Sequence, residues 1–146
     1  LIYTIGDTSG AHMNPAVSIA FYIGKKFSGK ELLPYFIAQL IGAVLASLTL
    51  KYLFPLDEFL GSSLPSGTWL QSFILEFILT FLLMFVIINV ATGAKEKGIM
   101  AGVAIGGTVG LEAMFAGPIC GASMNPVRSI APAIISGHVE YLWDMY

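Results

Sequence analysis

Apolar residues run almost unbroken through positions 32–54, 69–91 and 99–116, and polar, turn-rich stretches separate the runs. A helix rises about 1.5 Å per residue and a bilayer core is about 30 Å thick, so each run approaches the ~20 residues needed to span. Three membrane-crossing helices are predicted. Residues 55–67 hold Pro55, Gly61, Pro65 and Gly67 with the adjacent acids Asp57 and Glu58, a composition that ends helices and predicts an aqueous loop. Residues 91–98 form a second break, short and basic. At the ends, residues 1–6 read as the tail of an earlier span. Residues 139–146 read as the entry to a later one, with Tyr141, Trp143 and Tyr146 as interfacial aromatics.

Two segments outside this pattern are near copies: Gly10-Ala11-His12-Met13-Asn14-Pro15-Ala16-Val17-Ser18 and Gly121-Ala122-Ser123-Met124-Asn125-Pro126-Val127-Arg128-Ser129. Asparagine is a strong N-cap and proline is favoured at the first helical position, so each copy predicts the start of a short helix. Paired broken helices in an apolar chain point to a polar solute site near the bilayer midplane.

Charge sets the orientation. Of the seven basic residues, Lys25, Lys26, Lys30, Lys95 and Lys97 fall in two breaks that three alternating spans place on one side. The positive-inside rule makes that side cytoplasmic and turns Asp57 and Glu58 outward. The first Asn-Pro element then enters from the cytoplasm and the second from outside. Their N-terminal ends meet.

Composition narrows the class. With 56% hydrophobic and 11% charged residues and a mean hydropathy of +0.81, the chain has too little polar surface to clothe a soluble domain. A net charge of -2 and the lack of a long basic run give no reason to expect nucleic acid as a partner. No metal-ligand spacing, phosphate loop or nucleophile–base set is present in the sequence, so neither an enzyme nor a cofactor is expected. The single cysteine, Cys120, has no internal partner and reads as filling a small niche. The opening Leu1-Ile2-Tyr3 has neither an initiator Met nor a charged leader, and is expected to be an internal start.

Inside hydrocarbon every backbone polar group needs a partner, so two re-entrant loops imply a protein- or water-lined lumen. The side-chain oxygen of Asn14 or Asn125 can cap its own half-helix, leaving the amide NH2 to donate sideways to a passing solute. The small residues Gly10, Ala11, Gly121, Ala122 and Ser123 suit extended backbone with carbonyls turned to the lumen. Two converging helix N-termini disfavour cations. Small residues at Gly42, Ala43 and Ala46, and at Gly102, Gly106, Gly107 and Gly110, are expected to allow close helix packing. His12 is open between pore contact and a structural hydrogen bond.

On these two motifs, in this order and spacing, the chain resembles the aquaporin, or major intrinsic protein, family, closest to its nodulin-like and prokaryotic branch through Gly10-Ala11-His12-Met13 and Phe115-Ala116-Gly117-Pro118. The resemblance covers all 146 residues. It implies a single all-α membrane domain, an inverted repeat with two re-entrant half-helices, here without the first span, most of the second and the last. It further implies a pore centre at Asn14, Pro15, Ala16, Asn125, Pro126 and Val127, with Val127 departing from the usual alanine and so altering the packing of the half-helix tips. The outer filter falls on Ala113, Ala122 and Arg128, and the carbonyl-lined path on Gly10, Ala11, His12, Gly121 and Ser123. Glu76 is implied to brace the second loop by accepting backbone N–H bonds. Glu112, beside Ala113, is expected to reach water at the outer mouth or to pair with a neighbour outside this chain.

The implied activity is passive conduction of water and small uncharged solutes by a homotetramer in the plasma membrane, excluding protons and ions. Alanine at two filter positions predicts passage of glycerol or urea. A proton- or ion-coupled secondary transporter is the alternative, motivated by broken helices beside Glu76 and Glu112.

Overall fold

The structure is a computed structural model that describes residues 1–92 and 100–142. Its helices are α1 (Ile2–Ser9), α2 (Pro15–Ile23), α3 (Gly29–Leu53), α4 (Trp69–Thr92), α5 (Ala101–Cys120) and α6 (Pro126–Ser136), followed by a 3-10 turn at Glu140–Leu142. No strand occurs among the described residues. Lys95, Lys97, Trp143, Tyr146 and the side chain of Tyr141 lie outside them.

Helices α3, α4 and α5, of 25, 24 and 20 residues, are long and apolar enough to cross a membrane. Their ends differ from the apolar runs for local reasons. Helix α3 begins earlier, at Gly29, with Glu31 in its first turn, where an acid suits the helix dipole and hydropathy is blind. Helix α5 continues through Pro118 to Cys120. The last carbonyls of a helix have no partner within it. Here Ser66 supplies one, its hydroxyl donating to the Pro118 carbonyl and its N–H to that of Ile119, both at 2.9 Å.

The repeated sequence builds the same left-handed Gly-Ala turn twice, although Met124 (φ 52°) is left-handed and Met13 is not. Helix α1 runs past residue 6 to Ser9 and ends on left-handed Gly10 (φ 68°), followed by left-handed Ala11 (φ 52°). Helix α5 ends on Gly121 (φ 87°), followed by Ala122 (φ 43°). An L-residue in this region costs about 1–2 kcal/mol. Its recurrence after each glycine shows that the chain must reverse tightly before each half-helix.

Helix α4 packs along α5, α3 along α6, and the short α2 touches α3, α4 and α6. The core joins Val17 and Phe21 of α2 to Leu79, Leu83, Met84 and Ile87 of α4, to Ala116 and Cys120 of α5, and to Ala122 and Met124 of the second loop. Cys120 occupies the small niche expected of it, its thiol donating to the Ala116 carbonyl. The opposite face of α4 exposes Phe77, Phe81 and Phe85, one turn apart, each at least 60% accessible. A soluble surface rarely carries such an aromatic stripe, whereas lipid solvates it. The chain is an integral membrane protein.

The small residues do less packing than expected. Among the described residues, a Cβ on Gly106, Gly107 or Gly110 would meet nothing within 4 Å, and of these α5 glycines only Gly102 lies against a side chain, the ring of Tyr3. Gly42, Ala43 and Ala46 instead border a groove of about 790 Å³ between α1, α3 and α6.

Candidate functional site

Both half-helices start on extended asparagines, Asn14 (φ -153°) and Asn125 (φ -152°), and the two starts meet. Asn14 Nδ2 donates to the Met124 carbonyl at 2.6 Å, and Asn125 Nδ2 donates to the Met13 carbonyl at 2.9 Å. Each amide thus commits one hydrogen to the residue preceding the other asparagine and, among the described residues, has no second acceptor. The capping expectation holds on one side only. Asn14 Oδ1 accepts from Ala16 N–H at 2.9 Å, whereas Asn125 Oδ1 is buried with no partner among the described residues. The first turn of α6 is tightened by Arg128 N–H donating to the Asn125 carbonyl at 3.1 Å, which removes one N–H that the side chain would have capped.

Each loop is held by a polar side chain from a different span. Glu76 on α4, 7% exposed, accepts Ser123 N–H on Oε1 at 2.7 Å and Met124 N–H on Oε2 at 2.8 Å. Gln39 on α3 donates through Nε2 to the His12 carbonyl and to Ser18 Oγ. Sequence reasoning missed Gln39, although a lone amide in an apolar run was the available signal. The His12 ring stacks on Phe21 at 4.7 Å, close to Phe27 and Tyr35, so its packing is aromatic.

A cavity of about 290 Å³ adjoins the paired asparagines. Ala113 from α5, Ala122 from the second loop and Arg128 from α6 all border it, as do Gly10, Ala11, His12 and Ser123. Gly121 does not; its turn faces Ser63 instead. The His12 carbonyl accepts from Gln39, and those of Met13 and Met124 accept from the asparagines, each keeping its second acceptor position. The residues after each asparagine also turn away. Ala16 and Pro126 border a separate cavity beside Phe73 and Phe77, Val127 faces the groove along α3, and Pro15 is buried away from all three spaces. Within Asn14-Pro15-Ala16 and Asn125-Pro126-Val127, the asparagines border the cavity shared by Ala113, Ala122 and Arg128, and the two residues after each do not.

The segment between α3 and α4 contributes a residue that sequence reasoning assigned to an aqueous loop. Asp57 Oδ1 accepts from Phe59 N–H and Leu60 N–H, both at 2.9 Å, and the fold-back buries Leu60 and Ser63. Arg128 Nη1 donates to Ser63 Oγ at 3.1 Å. Nothing in the local pattern marked Ser63. Glu112 does not reach water: it is 4% exposed, and neither carboxylate oxygen has a hydrogen-bond partner among the described residues.

Comparison with known proteins agrees with this geometry. The model of the major intrinsic protein family matches residues 1–146. The chain is 50% identical over 145 residues to nodulin-26 of Glycine max, covering 98% of this chain and 53% of that protein. It is 49% identical over 151 residues to aquaporin NIP3-1 of Arabidopsis thaliana, covering 98% of this chain and 47% of the relative. The chain spans about half the length of these curated relatives. Its structure is similar to that of the aquaglyceroporin from Plasmodium falciparum, with a TM-score of 0.76 and 29% identity over 92% of this chain and 61% of the other. Fold, paired Asn-Pro starts and sequence agree, and the chain belongs to the major intrinsic protein family, in its nodulin-like branch.

Proposed function

We propose that the protein is a passive channel for water and small uncharged solutes of the glycerol and urea type, acting as a homotetramer in the plasma membrane. The observation that carries this reading is the crossed asparagine pair at two opposed half-helix starts, beside a cavity bordered by Ala113, Ala122 and Arg128. Each asparagine keeps one N–H for a solute oxygen. The half-helix ends and the Arg128 guanidinium give that space a positive potential that opposes protons and metal cations. Two methyl groups leave room for a solute wider than water.

A coupled transporter needs a carboxylate that gains and loses a proton at the solute site. Glu76 has both oxygens engaged by backbone N–H groups, and Glu112 is absent from the residues bordering the cavity. Both facts favour the channel. The test is stopped-flow light scattering of proteoliposomes given osmotic steps of sucrose, glycerol or urea, with and without a proton gradient. A channel accelerates all but the sucrose re-swelling regardless of the gradient; gradient-dependent uptake overturns the reading. Mass by light scattering of the detergent-solubilised protein tests the tetramer.

A further inference from the structure

We infer that Ser63 is a positioning residue for solute specificity, because it tethers the Arg128 guanidinium at the side of the constriction. The inference rests on the channel reading and extends it to a residue outside both Asn-Pro motifs. Ser63 Oγ accepts from Arg128 Nη1 at 3.1 Å, which leaves its own proton to donate. It lies 3.3 Å from Ser129 Oγ, which lies 2.5 Å from Ser123 Oγ, which donates to the Asn125 carbonyl at 2.9 Å. A hydroxyl has one donor and two acceptor positions. One donor order therefore satisfies every link: Arg128 to Ser63, Ser63 to Ser129, Ser129 to Ser123, and Ser123 to the carbonyl of Asn125. The filter arginine is wired back to the half-helix start from which it projects.

Ser63 is fixed before it meets Arg128. The Asp57 turn holds the chain on its N-terminal side, and the contacts of Ser66 with the end of α5 hold the other. Between these anchors its backbone presses on Gly121, where a Cβ would stand 2.7 Å from Ser63 Cβ and 2.9 Å from Ser63 Cα. Only glycine admits this approach. Ser63, Ser123 and Ser129 are each at least nine-tenths buried, whereas Arg128 remains accessible. An arginine on an open wall has many rotamers, and one fixed acceptor selects among them. Untethered, the guanidinium swings into the width that Ala113 and Ala122 leave free, obstructing glycerol more than water.

The experiment measures the glycerol-to-water permeability ratio in proteoliposomes for wild type, Ser63→Ala, Ser129→Ala, Arg128→Ala and the Ser63→Ala/Arg128→Ala double variant. Ser63→Ala is expected to lower the ratio about tenfold, on the scale of one hydrogen bond to a charged donor. Ser129→Ala lowers it less, and Ser63→Ala changes nothing further once Arg128 is alanine. An unchanged ratio in Ser63→Ala, or an equal drop in the Arg128→Ala background, overturns the proposal. If Ser63→Ala does not reconstitute, Ser129→Ala decides, and an unchanged ratio there overturns it. The same cycle read by thermal unfolding reports the contact without any flux, and is expected to be non-additive. A wild type that passes neither solute above empty vesicles overturns the channel reading and the specificity role with it, while the unfolding cycle still judges the tether.

Discussion

Asn14 and Asn125 are bound to each other's loops, the amide of each donating to the carbonyl that immediately precedes the other, at 2.6 and 2.9 Å. The pairing makes two distant copies of one motif into a single unit. It also explains why an amide, and not a carboxylate, stands at each position, since aspartate caps a helix equally well but has no N–H to offer across.

Replacing Asn14 with Asp therefore tests the crossing. The variant keeps the cap on Ala16 N–H, loses the bond to Met124 and brings a negative charge to the meeting point. Loss of a buried partner costs about 1–3 kcal/mol. A lower melting temperature and a new cation current in planar bilayers are expected; unchanged stability together with no current would contradict the role given to the amide.

Glu76→Gln alters the second loop. Glutamine presents an NH2 where either Ser123 N–H or Met124 N–H now donates, so one donor loses its acceptor and faces another donor. The expected loss is about 1.5–3 kcal/mol, the range for hydrogen bonds to charged groups. Thermal unfolding measures it, and solute uptake should remain indifferent to a proton gradient. Intact folding combined with the disappearance of a pH-driven uptake would instead favour a transporter.

Gln39→Leu removes the corresponding support of the first loop. It strips the His12 carbonyl and Ser18 Oγ of a donor and should destabilise by about 1–3 kcal/mol. Hydrogen exchange localises the effect. Faster exchange is expected between Gly10 and Ala16, with the Gly121–Asn125 loop unaffected.

Ala113→His narrows the cavity bordered by Ala122 and Arg128 and adds a donor to its wall. Glycerol flux should fall about tenfold or more while water flux falls less, a discrimination comparable to that of small changes in pocket size. Equal reductions in light-scattering traces would remove Ala113 from the constriction.

The spans and the two half-helix starts were legible because each rests on local sequence, a long apolar run and Asn followed by Pro; the Glu76 brace came from the family resemblance, since a lone acid in hydrocarbon does not by itself say what it binds. The unequal capping of Asn14 and Asn125 was not, because it depends on how tightly the first turn of each half-helix closes. Nor was the turn of Ala16 and Val127 toward other spaces, which depends on the extended backbone at each asparagine and on the helices packed beside it. Ser63 was hidden for a different reason. Its segment is polar and proline-bearing and so looks like a solvated loop, and only the Asp57 turn, together with the bare Gly121 surface, carries it inward.

The two braces also differ in when they exist. Gln39 follows His12 by 27 residues, whereas Glu76 precedes Ser123 by 47. A ribosome adds about 5–20 residues per second, so the first loop leaves it roughly one to five seconds before its brace is made. The second loop emerges with its acceptor already synthesised. During biogenesis the first half-helix is thus the one exposed to misplacement, and the early stretch around Asn14 is where a membrane insertase has most to protect.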